Sequence, residues 1–209
     1  MVASFLKSLR AWLEVGAGAG AGANPADLIS PPGMIAPSPN GSISYRPMRI
    51  DDLDQVHAID VLSFAVPWPA SSYRFELLDN PASLLWVAEA ILADEKTQVV
   101  GMIVVWLIVD EAHIATVAVH PDYRGRGIGR EIMEIALRES SRKGAKQATL
   151  EVRAGNEIAR RLYEGLGFQV VGQRPRYYHD NNEDALIMSI NELGQRYSGL
   201  KDSGKQPQG

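Results

Sequence analysis

The seven residues Arg124-Gly125-Arg126-Gly127-Ile128-Gly129-Arg130 constrain this chain more than any other part of its sequence. They follow His113–Val119, an apolar run of strand character, and open Ile128–Arg142, where Ile128, Ile132, Ile135 and Ala136 fall on one helical stripe. A strand delivered into a helix through glycines is half of a strand–helix–strand unit, which requires a sheet with a helix across its face. The glycines also leave the first helical N–H groups unpartnered where no Cβ keeps a ligand away. An anion suits that corner, and Arg124, Arg126 and Arg130 add positive charge to it. Taken alone, the same string is also compatible with a plain connection carrying solvated arginines.

The flanking segments meet that requirement. Ile43–Arg49 is a short strand. Asp51–Leu62 has Leu53, Val56 and Ile59 at helical spacing, with Asp51, Asp52 and Asp54 suited to the positive end of the dipole. Ser71–Leu78 is a second helix, entered through Pro67-Trp68-Pro69. Strands are expected over Leu84–Ala90, Val99–Ile108, Ala148–Val152, Gln169–Arg176 and Ala185–Ile190, with a helix over Glu157–Leu166. Hairpin-like strands followed by strand–helix–strand pieces predict a mixed α/β sheet. At 209 residues the chain suits one domain with tails, here residues 43–193.

Both tails differ from that unit. In residues 1–42, Val2, Phe5, Leu6, Leu9, Trp12 and Leu13 mark one face of an amphipathic helix. The Gly/Ala run Gly16–Asn24 and the Pro/Ser-rich stretch to Ser42 read as a flexible linker. Lys7, Arg10 and Glu14 interrupt the apolar positions, which argues against a cleaved secretory signal. No stretch approaches the ~20 apolar residues of a membrane span. Residues 194–209 are polar and glycine-rich and read as a disordered tail.

Composition then removes classes of chemistry. The chain has no cysteine, hence no disulfide, thiolate zinc site, iron–sulfur cluster or cysteine nucleophile. His57, His113, His120 and His179 are scattered, so no metal is expected. A net charge of −4 argues against a broad grip on nucleic acid or anionic lipid.

The anion at the glycine turn can be narrowed. A dinucleotide fingerprint needs glycine where Arg130 stands, and a P-loop needs Gly-Lys followed by Ser or Thr, which the chain lacks. The string instead resembles the Arg-x-x-Gly-x-Gly signature of the GCN5-related N-acetyltransferases, and Val117-Ala118-Val119-His120-Pro121-Asp122-Tyr123 is similar to that family's preceding strand and turn. The resemblance extends to Leu150-Glu151-Val152-Arg153-Ala154-Gly155-Asn156, to Ala159 through Phe168, to Arg176-Tyr177-Tyr178 and to Glu183-Asp184-Ala185. These are similar to the RimI-type branch, which acetylates the N-terminal alanine of a ribosomal protein. It covers most of residues 43–193. It departs at Pro69, where that branch has Ser or Thr after Pro-Trp, and at Gly155, where Ser is common.

What the resemblance implies is specific. The fold would be a single domain with a mixed, mostly antiparallel twisted sheet flanked by helices. Acetyl-CoA would lie in the splay between central strands, its pyrophosphate on Arg124, Gly125, Arg126, Gly127, Ile128, Gly129 and Arg130. Val117, Ala118 and Val119 would run beside the pantetheine arm, and Asn156, which also suits a helix N-cap, would touch coenzyme A. Gly165 and Gly167 would end the helix before them.

The chemistry needs a base, because an α-amine of pKa ~7.7–8 is largely protonated at neutral pH. Glu151, on the polar face of an apolar strand, is the candidate; a surface carboxylate paired with Arg153 is the alternative. Tyr163 is the candidate donor to the departing sulfur, against a packing tyrosine. Phe64, Trp68 and Tyr73 form one aromatic group, and Tyr177 and Tyr178 a second. The resemblance makes Phe64, Trp68, Tyr177 and Tyr178 walls of a peptide groove. His120, before Pro121, reads as a turn residue.

The expected activity is acetyl transfer to a protein or peptide N-terminus in the cytoplasm, with no nucleic-acid partner. Acetylation of lysine or a small amine, and a non-catalytic coenzyme-A-binding module, are the alternatives. The sequence carries no signature of an oligomeric state.

Overall fold

Strands form where apolar residues alternate or run together, and helices where they return at three or four. The computed structural model describes residues 42–92 and 96–197. In order these are β1 (Ile43–Pro47), α1 (Leu53–Ser63), α2 (Ala70–Leu78), β2 (Ser83–Ile91), β3 (Thr97–Ile108), β4 (Glu111–Val119), α3 (Ile128–Arg142), β5 (Gln147–Arg153), α4 (Glu157–Leu166), β6 (Gln169–Tyr178), β7 (Glu183–Asn191) and α5 (Leu193–Tyr197). One seven-stranded sheet has the order β1-β2-β3-β4-β5-β7-β6. Every neighbouring pair is antiparallel except β4 and β5, whose parallel pairing depends on the crossover through α3.

Period two in β5 decides which side chains go where. Ala148, Leu150 and Val152 enter the core beneath α3 and α4, while Gln147, Thr149, Glu151 and Arg153 stay half-buried on the opposite face. A second core under α1 and α2 gathers Val56, Ile59, Tyr73, Val87, Met102, Val104 and Ala118.

The central break in the sheet follows from β4. Its pairing with β5 covers only Glu111–His113 against Gln147–Thr149. Further along, Val105 faces Ile114 and Val104 faces Thr116, so Ala115 is the extra residue of a β-bulge. Beyond it β4 continues along β3 to Val119, while β5 continues along β7. The two central strands part at His113 and Thr149.

Two expectations need correction. The boundary at residue 193 falls inside a helix: Leu193 is buried, and Tyr197, one turn later, packs against the same core. The polar residues between them conceal an i, i+4 apolar pair in the sequence. The first helix, expected from Asp51, starts as a 3-10 turn over Ile50–Asp52. There the Asp52 carboxylate bonds Arg46 at 2.7 and 2.9 Å and the Arg49 N–H at 2.7 Å. Burial pushes that carboxyl up, yet Arg46 and the Arg49 N–H hold it below its usual range. The amphipathic helix, the linker and residues 198–209 lie outside the described residues. Among the described residues, no helix is long and apolar enough to cross a membrane.

Candidate active site

The glycine loop is a main-chain construction. Pro121–Tyr123 forms a 3-10 turn capped by His120, whose ring accepts from the Asp122 N–H at 3.3 Å. Gly125 (φ +75°) and Gly127 (φ +84°) take the left-handed conformation, and a Cβ at either would meet no atom within 4 Å. Gly127 precedes α3, and its carbonyl accepts from the N–H groups of Arg130 and Glu131 at 3.0 and 3.1 Å. The N–H groups before them have no partner inside the helix. Open space, left-handed glycines and helix N–H groups fit a diphosphate.

Gly129 has a different task. A Cβ there would touch Leu162 at 3.6 Å and Val119 at 3.8 Å, so this glycine sits against the core rather than the open side of the loop. The arginines are engaged too. Arg124 bonds the Val119 carbonyl at 3.0 Å and Ser63 at 3.1 Å. Arg126 bonds the Asp122 carbonyl at 3.1 Å and lies over the Tyr123 ring at 4.9 Å. Arg130 reaches the Gly165 carbonyl at 3.2 Å. These contacts hold the loop's shape, and the guanidinium charges stay beside it.

Beside the loop, Val117, Ala118 and Val119 pair with β3 along one edge, and β5 has parted from the other. Asn156 caps α4, its side chain accepting from the Ala159 N–H at 3.1 Å. Gly167 ends that helix at φ +98°, while Gly165 lies within it. Tyr163, on α4, belongs to the core beneath α3 and α4, with its ring 6.0 Å from Phe168. Burial pushes its phenol up to about 12.

The opposite face carries Glu151. Its side chain is 14% exposed, with Oε1 2.9 Å from Arg174 Nη1 and Oε2 3.4 Å from His113 Nε2. The expected alternative partner, Arg153, is engaged elsewhere. It pairs with Asp180 at 2.9 Å and Glu183 at 3.3 Å, and lies 3.9 Å over the Tyr178 ring. Tyr177 meets Tyr178 edge to face at 5.1 Å and takes Arg174 over its ring at 5.5 Å. Burial, then the Glu151 charge, pushes the Tyr177 phenol up.

Across the sheet an aromatic row approaches Glu151. Trp68 stacks on Trp106 at 6.1 Å, and Trp106 on His113 at 5.6 Å. Trp68 is fixed by the buried Asp60, which accepts its N–H at 2.6 Å, and by Tyr73 beneath it at 5.3 Å. Burial pushes the Asp60 carboxyl up. Trp106 donates to Glu76 at 2.9 Å. The structure therefore brings Trp68, Tyr177 and Tyr178 toward Glu151. Phe64, 39% exposed, joins no ring contact among the described residues.

Sequence reasoning missed His113, Trp106 and Arg174. His113 shares a face with Glu111 by strand alternation, but only the β4–β5 register places that face beside Glu151. Arg174 precedes Pro175 in an edge strand whose pairing shifts between Arg174 and Tyr178, which hides its direction. Among the described residues, no group of three or more His, Asp or Glu side chains is placed to hold a metal.

The family model described as the acetyltransferase (GNAT) family matches residues 53–168. A Bacillus subtilis (strain 168) relative, named "Putative ribosomal protein bS18-alanine N-acetyltransferase", is 38% identical over 151 residues, or 71% of this chain and 97% of that protein. The crystal structure of the ribosomal-protein-S18-alanine N-acetyltransferase from Escherichia coli aligns with a TM-score of 0.64 at 26% identity, covering 79% of this chain and 100% of that one. A chain of the NatC complex bound to Gag peptide and CoA aligns with a TM-score of 0.65 at 25% identity, covering 71% and 98%. The chain belongs to the GNAT family of acetyltransferases and is an N-acetyltransferase whose acetyl donor is acetyl-CoA.

Proposed function

We propose that this enzyme acetylates the α-amine of a protein N-terminus, with the N-terminal alanine of a ribosomal protein as its first candidate, in the cytoplasm. The relatives' names support the acceptor. The observation that carries the reading is the place of Glu151: just past the parting of β4 and β5, between walls made by Trp68 and by Tyr177 and Tyr178. The catalytic unit is residues 43–193 continued through α5, with residues 1–42 as an extension.

The backbone of Arg124, Gly125, Arg126, Gly127, Ile128, Gly129 and Arg130 would hold the diphosphate of acetyl-CoA, Val117–Val119 its pantetheine arm, and Asn156 a further contact. When bound, acetyl-CoA supplies a thioester carbonyl carbon open to attack by an amine. Glu151 Oε2 draws a proton from the acceptor ammonium, a group of pKa ~7.7–8 that is mostly charged at neutral pH. Arg174 fixes the other carboxylate oxygen and thereby the direction of the first. Tyr163 approaches from the other face. A phenol at about 12 stays protonated throughout the neutral range, so it serves as a hydrogen-bond donor to sulfur rather than releasing its proton outright.

The test is incubation with acetyl-CoA and peptides beginning Ala, Ser or Met, and an N-terminally blocked peptide with an internal lysine, read by mass spectrometry. Acetyl on the α-amine, with Ala favoured, is expected. Acetyl on the lysine of the blocked peptide, or on none, overturns the reading.

A further inference from the structure

The acceptor face holds a titratable side chain that the chemistry above leaves unused. His113 stands at the last rung where β4 and β5 pair, opposite Thr149. Its Nε2 is 3.4 Å from Glu151 Oε2, and its Nδ1 is 3.2 Å from Thr149 Oγ1. A hydroxyl has one proton to donate. Thr149 donates it to Glu111 Oε1, whose other oxygen accepts from Gln147 Nε2 at 3.1 Å. Toward His113, Thr149 Oγ1 can then only accept, so Nδ1 carries the imidazole hydrogen. In the neutral ring this leaves the Nε2 lone pair facing a carboxylate oxygen. Two acceptors in that position repel until a proton lies between them, and acetylating an ammonium requires the removal of one.

We propose that His113 Nε2 and Glu151 Oε2 form a joint proton acceptor in which His113 finally holds the proton drawn from the acceptor ammonium. The proposal rests on the reading of Glu151 given above. The ammonium N–H bond breaks with its electron pair left on nitrogen, and the proton bonds to the Nε2 lone pair, giving an imidazolium beside the carboxylate. The freed nitrogen forms the C–N bond as the thioester C–S bond breaks. The nitrogen's second proton ends on the departing sulfur, and the imidazolium returns its own to water. Among side chains, imidazole has the ordinary titration range closest below that of an α-amine.

The surroundings suit a transient cation. Trp106 on β3 lies parallel to the His113 ring within 18°, offering its π-face. Glu151 on β5 faces Nε2, and Glu111 on β4 acts through Thr149. Arg174 on β6 is the opposing charge, held on the far carboxylate oxygen, Glu151 Oε1. The His113 side chain is 20% exposed, enough for solvent to recover the proton.

His113→Asn keeps a nitrogen donor toward Thr149 and removes the Nε2 acceptor. We expect kcat on an Ala-initiated peptide to fall about 10–100-fold at pH 7, and the gap to close above pH ~8 as the substrate amine loses its proton unaided. Circular dichroism and calorimetric acetyl-CoA affinity should match the parent. Independently of turnover, nitrogen-15 NMR of the parent imidazole should show the Nδ1–H tautomer, with signals that move in Glu151→Gln. A His113→Asn profile superposing on the parent while Glu151→Gln is slow overturns the proposal and leaves the Glu151 reading standing; an Nε2–H tautomer overturns it equally. If both variants match the parent, the Glu151 reading falls and the proposal with it.

Discussion

On the β4–α3 side, the proposed diphosphate site rests on main-chain groups from one run of seven residues, whereas the proposed acceptor side draws on Trp68, Trp106, His113, Glu151, Arg174 and Tyr177 from five separate segments. The first construction depends on backbone conformation: left-handed Gly125 and Gly127, and a helix whose first N–H groups point outward. The second depends on register, since a one-residue slip of β5 would send Glu151 into the core and Leu150 to the groove. Strain is distributed accordingly. Glycines absorb the positive φ angles of the Arg124–Arg130 loop, while in β6 and the turn after it non-glycine Arg176 (φ +51°) and Asn182 (φ +55°) carry them near Tyr177 and Tyr178. Holding a donor that is always the same can rest on backbone, whereas proton removal and the choice of acceptor need side chains.

The largest effect should come from Gly127→Val. A branched residue in the left-handed region costs about 1–2 kcal/mol, and its Cβ would enter the space left for the ligand. Acetyl-CoA affinity, measured by calorimetry, should drop more than about a hundredfold in a folded protein. Arg126→Ala should lose less than about fivefold, because its guanidinium is already engaged by Asp122 and Tyr123. Arg126→Ala weakening binding more than Gly127→Val would break the comparison, making the cofactor side a side-chain site as well.

Tyr163→Phe tests where the two sides meet. It should lower kcat about 10–100-fold, the scale of one hydrogen bond to a charged atom. With the parent phenol at about 12, it stays neutral from pH 6 to 9, so the defect should be flat across that range. Rates with a more acidic thiol leaving group should narrow the gap; an unchanged gap would make Tyr163 a packing residue.

Arg153→Ala should act more weakly and on the acceptor alone. It removes the ring contact on Tyr178 and the pairs with Asp180 and Glu183, which loosens the β6–β7 turn. KM for the peptide should rise about fivefold with kcat and acetyl-CoA affinity retained. A matching loss of acetyl-CoA affinity would show the two regions to be coupled.

The same division explains what could be read from residues. The helices Ile128–Arg142 and Glu157–Leu166 have the bounds their apolar stripes and caps predict, because Gly127, Asn156 and Gly167 are local signals. The conformation of the glycine loop was legible for that reason, though the inward position of Gly129 was not: it depends on Leu162, brought there by packing. Glu151 was legible as the polar member of an apolar strand. Its partners were not, since Arg174 and His113 reach it only through pairings set by the β-bulge at Ala115 and the shifted edge strand β6. The Leu193 and Tyr197 turn was lost for a simpler reason: two apolar residues in a polar tail give too short a period to recognise.

Whether Glu151 takes the proton from an α-ammonium at the parting of β4 and β5 is decided by the pH profile of kcat/KM for Glu151→Gln beside the parent. Glutamine keeps the shape and loses the base. At pH 7 the rate should fall by about 10²–10⁴, and part of it should return above pH ~8, where the substrate amine sheds its proton without help. A profile that follows the parent's from pH 6 to 9 would contradict that role, leaving Glu151 as a strand carboxylate whose work is to hold Arg174 and His113.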